Sequence, residues 1–142
     1  AQQMAYGARS TNGALPPVPL NLERREAMTD RELLELAAKA AGMIPRDEWA
    51  YDEEWGLKVS AGLPPYEWWN PLDDHGDAFR LACKLELDIM HRVVGGKRVE
   101  VLAAGGPLIQ EFYEGEPYAA ARRAIVRAAA EIGRKRATKE TA

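Results

Sequence analysis

The chain has 142 residues, 46% of them hydrophobic and 29% charged, with a formal net charge of −3. That length fits one ordinary domain and that balance can bury a core, which excludes a wholly disordered chain. The charge is uneven: residues 117–142 hold seven Lys/Arg against two Glu, leaving the first 116 residues with twelve against twenty, or −8. A basic end on an acidic body falls short of the footprint of a nucleic-acid binder, so nucleic acid is not the expected partner.

Residues 1–27 hold Gly7, Gly13 and Pro16-Pro17-Val18-Pro19 without sustained periodicity, which predicts a disordered or loosely attached leader. Met28-Thr29-Asp30 reads as a natural chain start. Thr29-Asp30-Arg31-Glu32 fits a capping box opening a first helix, with Leu33, Leu36, Ala37, Ala40 and Ala41 at helical spacing and Gly42 placed to end it. This helix is expected to pack one face on a sheet. Residues 43–65 interleave Asp47, Glu48, Asp52, Glu53 and Glu54 with Trp49, Tyr51 and Trp55. Trp55 to Ser60 alternates like a strand that ends before Gly62 and Pro64-Pro65, and the acidic segment before it is either a loop or a short partner strand.

Tyr66-Glu67-Trp68-Trp69 is consistent with a short strand stopped by Pro71, which cannot donate a ladder hydrogen bond. Asp73 or Asp74 can then cap a second helix whose apolar stripe is Ala78, Leu81, Ala82 and Leu85. Leu87 to Val94, Gly95-Gly96 and Lys97 to Ala103 predict a hairpin with a type I′ turn, Val99, Val101 and Ala103 facing the core. Gly105-Gly106-Pro107 breaks the run, and Leu108 to Tyr113 is one more strand or an irregular return. Glu114-Gly115-Glu116-Pro117 introduces the last helix, striped by Tyr118, Ala121, Ile125, Ala128, Ala129 and Ile132. Gly133 is expected to end it, leaving residues 134–142 as a basic, frayed tail after a single domain over 28–133.

Three blocks of this pattern, Met28 to Gly42, Trp69 to Leu85 and Tyr118 to Gly133, resemble the phage ABA-sandwich domain family of small phage and prophage proteins, and more remotely the NinX-like phage proteins. The resemblance implies a compact α+β sandwich encoded by a phage and brings no established activity with it. Together with the elements above, it gives an expected α+β fold: a layered sandwich of about three helices with a small, mainly antiparallel sheet.

Asp73, Asp74, His75 and Asp77 are the candidate metal ligands, since carboxylates with one imidazole suit a hard or borderline cation, and they would serve a metal-dependent hydrolase. Capping and solvation account for them more simply, because four ligands at one helix start cannot all turn inward. Trp68 and Trp69 with Arg122, Arg123 and Arg127 form a candidate ligand site, rings stacking a base while guanidinium groups hold phosphate, as a nucleotide-capturing anti-defence protein would require. The plainer reading puts one Trp in the core and the other at an interface. His91 reads as a half-exposed sheet residue and Cys83 as inert packing. No residue is singled out as catalytic and no cofactor is expected. A single cysteine and the absence of a secretory start or a spanning apolar run point to a cytoplasmic protein with no membrane partner. The reading as a whole is a phage accessory protein acting by binding an unidentified protein or small molecule, and a short sheet with exposed edges predicts a homodimer.

Overall fold

In the computed structural model of the protein, residues 28–45, 50–60 and 67–141 are described. The leader, the Asp47–Trp49 part of the acidic-aromatic segment and the Gly62–Pro65 turn lie outside the described residues. Among the described residues, three helices, α1 (Asp30–Ala40), α2 (His75–Lys84) and α3 (Tyr118–Thr141), combine with seven strands: β1 (Ile44–Pro45), β2 (Tyr51–Asp52), β3 (Gly56–Ser60), β4 (Glu67–Trp69), β5 (Asp88–Arg92), β6 (Arg98–Leu102) and β7 (Leu108–Phe112). The expected α+β class is therefore correct, with the antiparallel strands divided between two small sheets.

The first sheet is built on β3. Leu57 pairs with Tyr51 on one side and Trp69 on the other, and Val59 pairs with Pro45 and Glu67, so β1 and β2 share one edge of β3 while β4 takes the opposite edge. The segment left open between loop and strand thus includes a partner strand, β2. The Asp52 carboxylate accepts from the backbone N–H groups of Glu54 and Trp55 at 2.8 and 3.0 Å, and this tightens the turn into β3. Trp55 sits in that turn, exposed, rather than beginning the strand. The second sheet runs β5-β6-β7 with Arg92 opposite Arg98 and Leu102 opposite Leu108.

Each helix start follows its sequence signal. Thr29 and Glu32 form the capping box, with the Thr29 hydroxyl accepting from Glu32 N–H at 3.1 Å and Glu32 accepting from Thr29 N–H at 3.1 Å. Asp74 is the cap of α2, accepting from Asp77 N–H at 2.8 Å. Gly42 takes the left-handed conformation (φ +73°) just beyond α1.

Three expectations are corrected. The β5–β6 loop runs from Val93 to Lys97, and Gly96 N–H donates to the Val93 carbonyl at 3.2 Å, so the turn centres on Val94-Gly95 and is not a two-residue Gly-Gly turn. Arg98 Nη1 closes this wider loop by donating to the Val94 and Gly96 carbonyls at 3.0 and 2.9 Å. Secondly, Gly133 does not end the last helix; α3 continues to Thr141, so residues 134–141 of the expected tail are helical. A Cβ at Gly133 would lie 1.9 Å from the Leu36 carbonyl oxygen, which shows why glycine stands there: α1 and α3 touch backbone to backbone at that point. Thirdly, α1 packs chiefly on α3 and only secondarily on β3. Small residues buried in the common core, Ala37 and Ala38 on α1 and Ala129 and Ala130 on α3, suit so close an approach.

Helix α3 is consequently central. Ala124, Val126 and Ala130, which lie off its expected stripe, are buried along with Ile125, Ala128 and Ala129, because α1, α2 and the second sheet all pack on it. Among the described residues, no helix is long and apolar enough to cross a membrane.

Candidate functional site

The Trp68-Trp69 strand divides its two rings by the alternation of a strand. Trp69 points into the core and is 6% exposed, whereas Trp68 is 41% exposed. Lys58, opposite Trp68 in the ladder, places its ammonium 5.3 Å from the centre of the indole ring, a cation–π contact. Between β4 and α2 lies an open groove of about 510 Å³ whose walls include Val59, Trp68, Trp69 and Leu81, with Arg80 and Lys84 supplied by α2. Helical spacing explains the last two, since Asp77, Arg80 and Lys84 recur at intervals of three and four and therefore share a face of α2.

Asp77 organises this corner. One carboxylate oxygen accepts from Asn70 N–H at 2.9 Å and the other from Arg80 Nη2 at 2.8 Å, tying the exit of β4 to the first turn of α2. Arg80 remains largely exposed despite the pair, so its guanidinium has donors to spare toward the groove.

The arginines expected to join the tryptophans are placed elsewhere. Arg122 Nε donates to the Leu72 carbonyl at 2.8 Å and Nη1 lies 2.9 Å from His75 Nδ1. A guanidinium has no acceptor, so Arg122 donates and Nδ1 accepts in this contact. Arg123 reaches Asp30 at 3.3 Å, and Arg127 bonds the Gln110 carbonyl at 3.2 Å and the Glu111 carboxylate. These side chains tether the central helix to α2, α1 and the second sheet respectively, and the groove draws its cations, Arg80 and Lys84, from α2 instead.

The four candidate metal ligands likewise diverge. Asp74 caps α2, Asp77 holds Asn70 and Arg80, His75 meets Arg122 and lies 5.6 Å from the Tyr118 ring at a tilt of 59°, and Asp73 lines a separate acidic cleft with Glu53 and Glu54. Among the described residues, no three His, Cys, Asp or Glu side chains gather as a metal-binding group. His91 is exposed and bonded to the Tyr113 hydroxyl. Cys83 is exposed, contrary to the packing role expected of it, because the buried stripe of α2 is Ala78, Leu81 and Ala82 and Cys83 falls outside it.

A further polar cluster went unread in the sequence. Glu100, on the β6 face opposite Val99 and Val101, is only 5% exposed, covered by side chains from all three strands of its sheet. Its carboxylate accepts from Gln110 Nε2 at 2.6 Å, Arg98 Nε at 2.9 Å and Arg92 Nε at 3.1 Å. The bonds from Gln110 and Arg98, above all, hold its pKa down at about 2. Strand alternation marks Glu100 as outward-facing, but only the β5-β6-β7 register brings Arg92 and Gln110 over it.

Comparison with known protein families, curated proteins and solved structures finds no match to this chain.

Proposed function

We propose that this protein is an accessory protein that acts by binding, and that the groove between β4 and α2 receives a small planar ligand bearing an anionic group, a nucleotide being the natural case. The observation that carries this reading is the meeting in one groove of an exposed indole, Trp68, with Arg80, Lys84 and the apolar Trp69, Val59 and Leu81, the carboxylates of Asp77, bound to Arg80, and Glu67 also standing on its walls. A groove of about 510 Å³ matches a small-molecule site, and its mixture of apolar lining with a few polar groups is the usual composition of one. The indole offers a stacking face worth about 1–3 kcal/mol per base in single-strand binders, and a guanidinium beside an ammonium suits a phosphate. Phage origin is supported by the sequence resemblance alone.

Differential scanning fluorimetry tests it with nucleoside monophosphates, the matching nucleosides and inorganic phosphate. A nucleotide at 100 times its Kd should stabilise the fold by about 2.7 kcal/mol. Trp68→Ala and Lys84→Ala should each reduce that gain while leaving the melting point of the free protein nearly unchanged. Absence of any shift with every nucleotide, together with unchanged tryptophan fluorescence, overturns the ligand assignment.

A further inference from the structure

Strand β5 is an edge of the second sheet, with β6 on one side and no strand on the other among the described residues. Its five residues, Asp88-Ile89-Met90-His91-Arg92, form an unbroken ladder with β6, and four of the five are exposed, Met90 being half-buried. An edge of this kind presents a row of backbone donors and acceptors ready for another strand, and the usual protections are proline, lysine, a bulge or a covering element. β5 has neither proline nor lysine, and its pairing with β6 is regular. The opposite edge strand, β7, is engaged by α3, with Arg127 donating to the Gln110 carbonyl at 3.2 Å.

We propose that β5 pairs antiparallel with β5 of a second copy about a twofold axis at Met90, joining two three-stranded sheets into one of six strands. The sequence of the strand is self-complementary in this register. Asp88 falls opposite Arg92 of the second copy and Arg92 opposite its Asp88, giving two opposite-charge pairs on the outer face. Met90 meets its own counterpart between them. On the inner face Ile89, 45% exposed in the single chain, falls opposite His91 of the second copy and is covered twice over by symmetry. Because a twofold normal to the sheet keeps each face on its own side, permitted registers differ by two residues, and the one centred on Met90 alone pairs all five positions. Arg92 keeps its bond to Glu100 in this arrangement, since a guanidinium has five donors and uses one there and one toward Met90 Sδ.

Sedimentation equilibrium of the full chain over increasing concentration should show the mass rising from one chain toward two, with the rise weakened by salt. Asp88→Arg places like charges opposite one another and should hold the protein at the mass of one chain; Arg92→Glu should do the same. An equimolar mixture of these two variants restores opposite charges in both rows and should recover the two-chain mass. Met90→Cys in a Cys83→Ser background should form a disulfide-linked dimer on mild oxidation, since opposed Cα atoms in a ladder lie about 4.5–5.5 Å apart, whereas Val94→Cys in the same background should not. The cysteine pair does not depend on Arg92→Glu folding normally. A single-chain mass up to about 1 mM overturns the proposal, as does a dimer that both charge variants preserve and that Met90→Cys fails to cross-link.

Discussion

Replacing Gly133 with alanine tests the backbone contact between α1 and α3 by the sign and size of the effect. If Gly133 lay in an ordinary solvated stretch of helix, alanine would stabilise it by about 1 kcal/mol through backbone entropy. In the fold, the added Cβ would stand 1.9 Å from the Leu36 carbonyl oxygen and 2.8 Å from its carbon. A carbon–oxygen contact relaxes at about 3.3 Å or more, so α1 and α3 must part by over an ångström along their alanine-lined seam. Neither contacting atom belongs to a flexible side chain, and the strain cannot be relieved by a rotamer change. Overpacking of this kind costs about 1–3 kcal/mol and more where backbone must move, so after the propensity gain a net loss of about 2 kcal/mol is expected. In a domain of this size that lowers the melting temperature by about 7 °C. Urea unfolding followed by far-UV circular dichroism measures it, with Gly115→Ala as the control, since nothing lies within 4 Å of a Cβ there. A Gly133→Ala protein as stable as the wild type or more so would refute the backbone contact between α1 and α3.

The two adjacent tryptophans should respond oppositely: Trp69→Ala should cost about 3–5 kcal/mol in urea unfolding as a core truncation, and Trp68→Ala less than about 1. Asp74→Ala removes the cap of α2 and should destabilise by about 1 kcal/mol, with Asp74→Asn recovering most of it. The Glu100 carboxyl should titrate near pH 2 by NMR. Because its folded pKa lies below the ordinary 4.5, the native state binds this proton less readily than the unfolded chain. Its stabilisation is complete above about pH 4.5 and lost as pH falls through about 2; Glu100→Gln should flatten acid unfolding in that interval, and an unchanged acid midpoint would contradict the cluster.

Local signals carried far in this chain wherever the determining contacts span a few residues. The Thr29–Glu32 capping box, Asp74 at the start of α2, the β5–β6 hairpin and the left-handed Gly42 are legible because each depends on hydrogen bonds or dihedral preferences within one turn. The candidate site was half legible. An aromatic strand running into an acidic cap was evident, yet the arginines assigned to it were those of α3, because sequence spacing gives no means of choosing between a cation that tethers helices and one left free beside a ring.

By itself, the sequence determined an α+β chain with three helices, two of them with legible caps, and antiparallel strands, since helix starts, turns and alternation are written in neighbouring residues. Only the tertiary structure decided that the strands form two sheets, that α3 runs through Gly133, that Trp69 is core while Trp68 borders a groove with Arg80 and Lys84, and that Arg92, Arg98 and Gln110 enclose Glu100. Each of these depends on partners distant in the chain: Gly133 meets Leu36 and Arg122 meets Leu72 only once the elements pack. A glycine that relieves a clash between helices reads, in sequence, the same as one that ends a helix, and the difference lies in the backbone it touches.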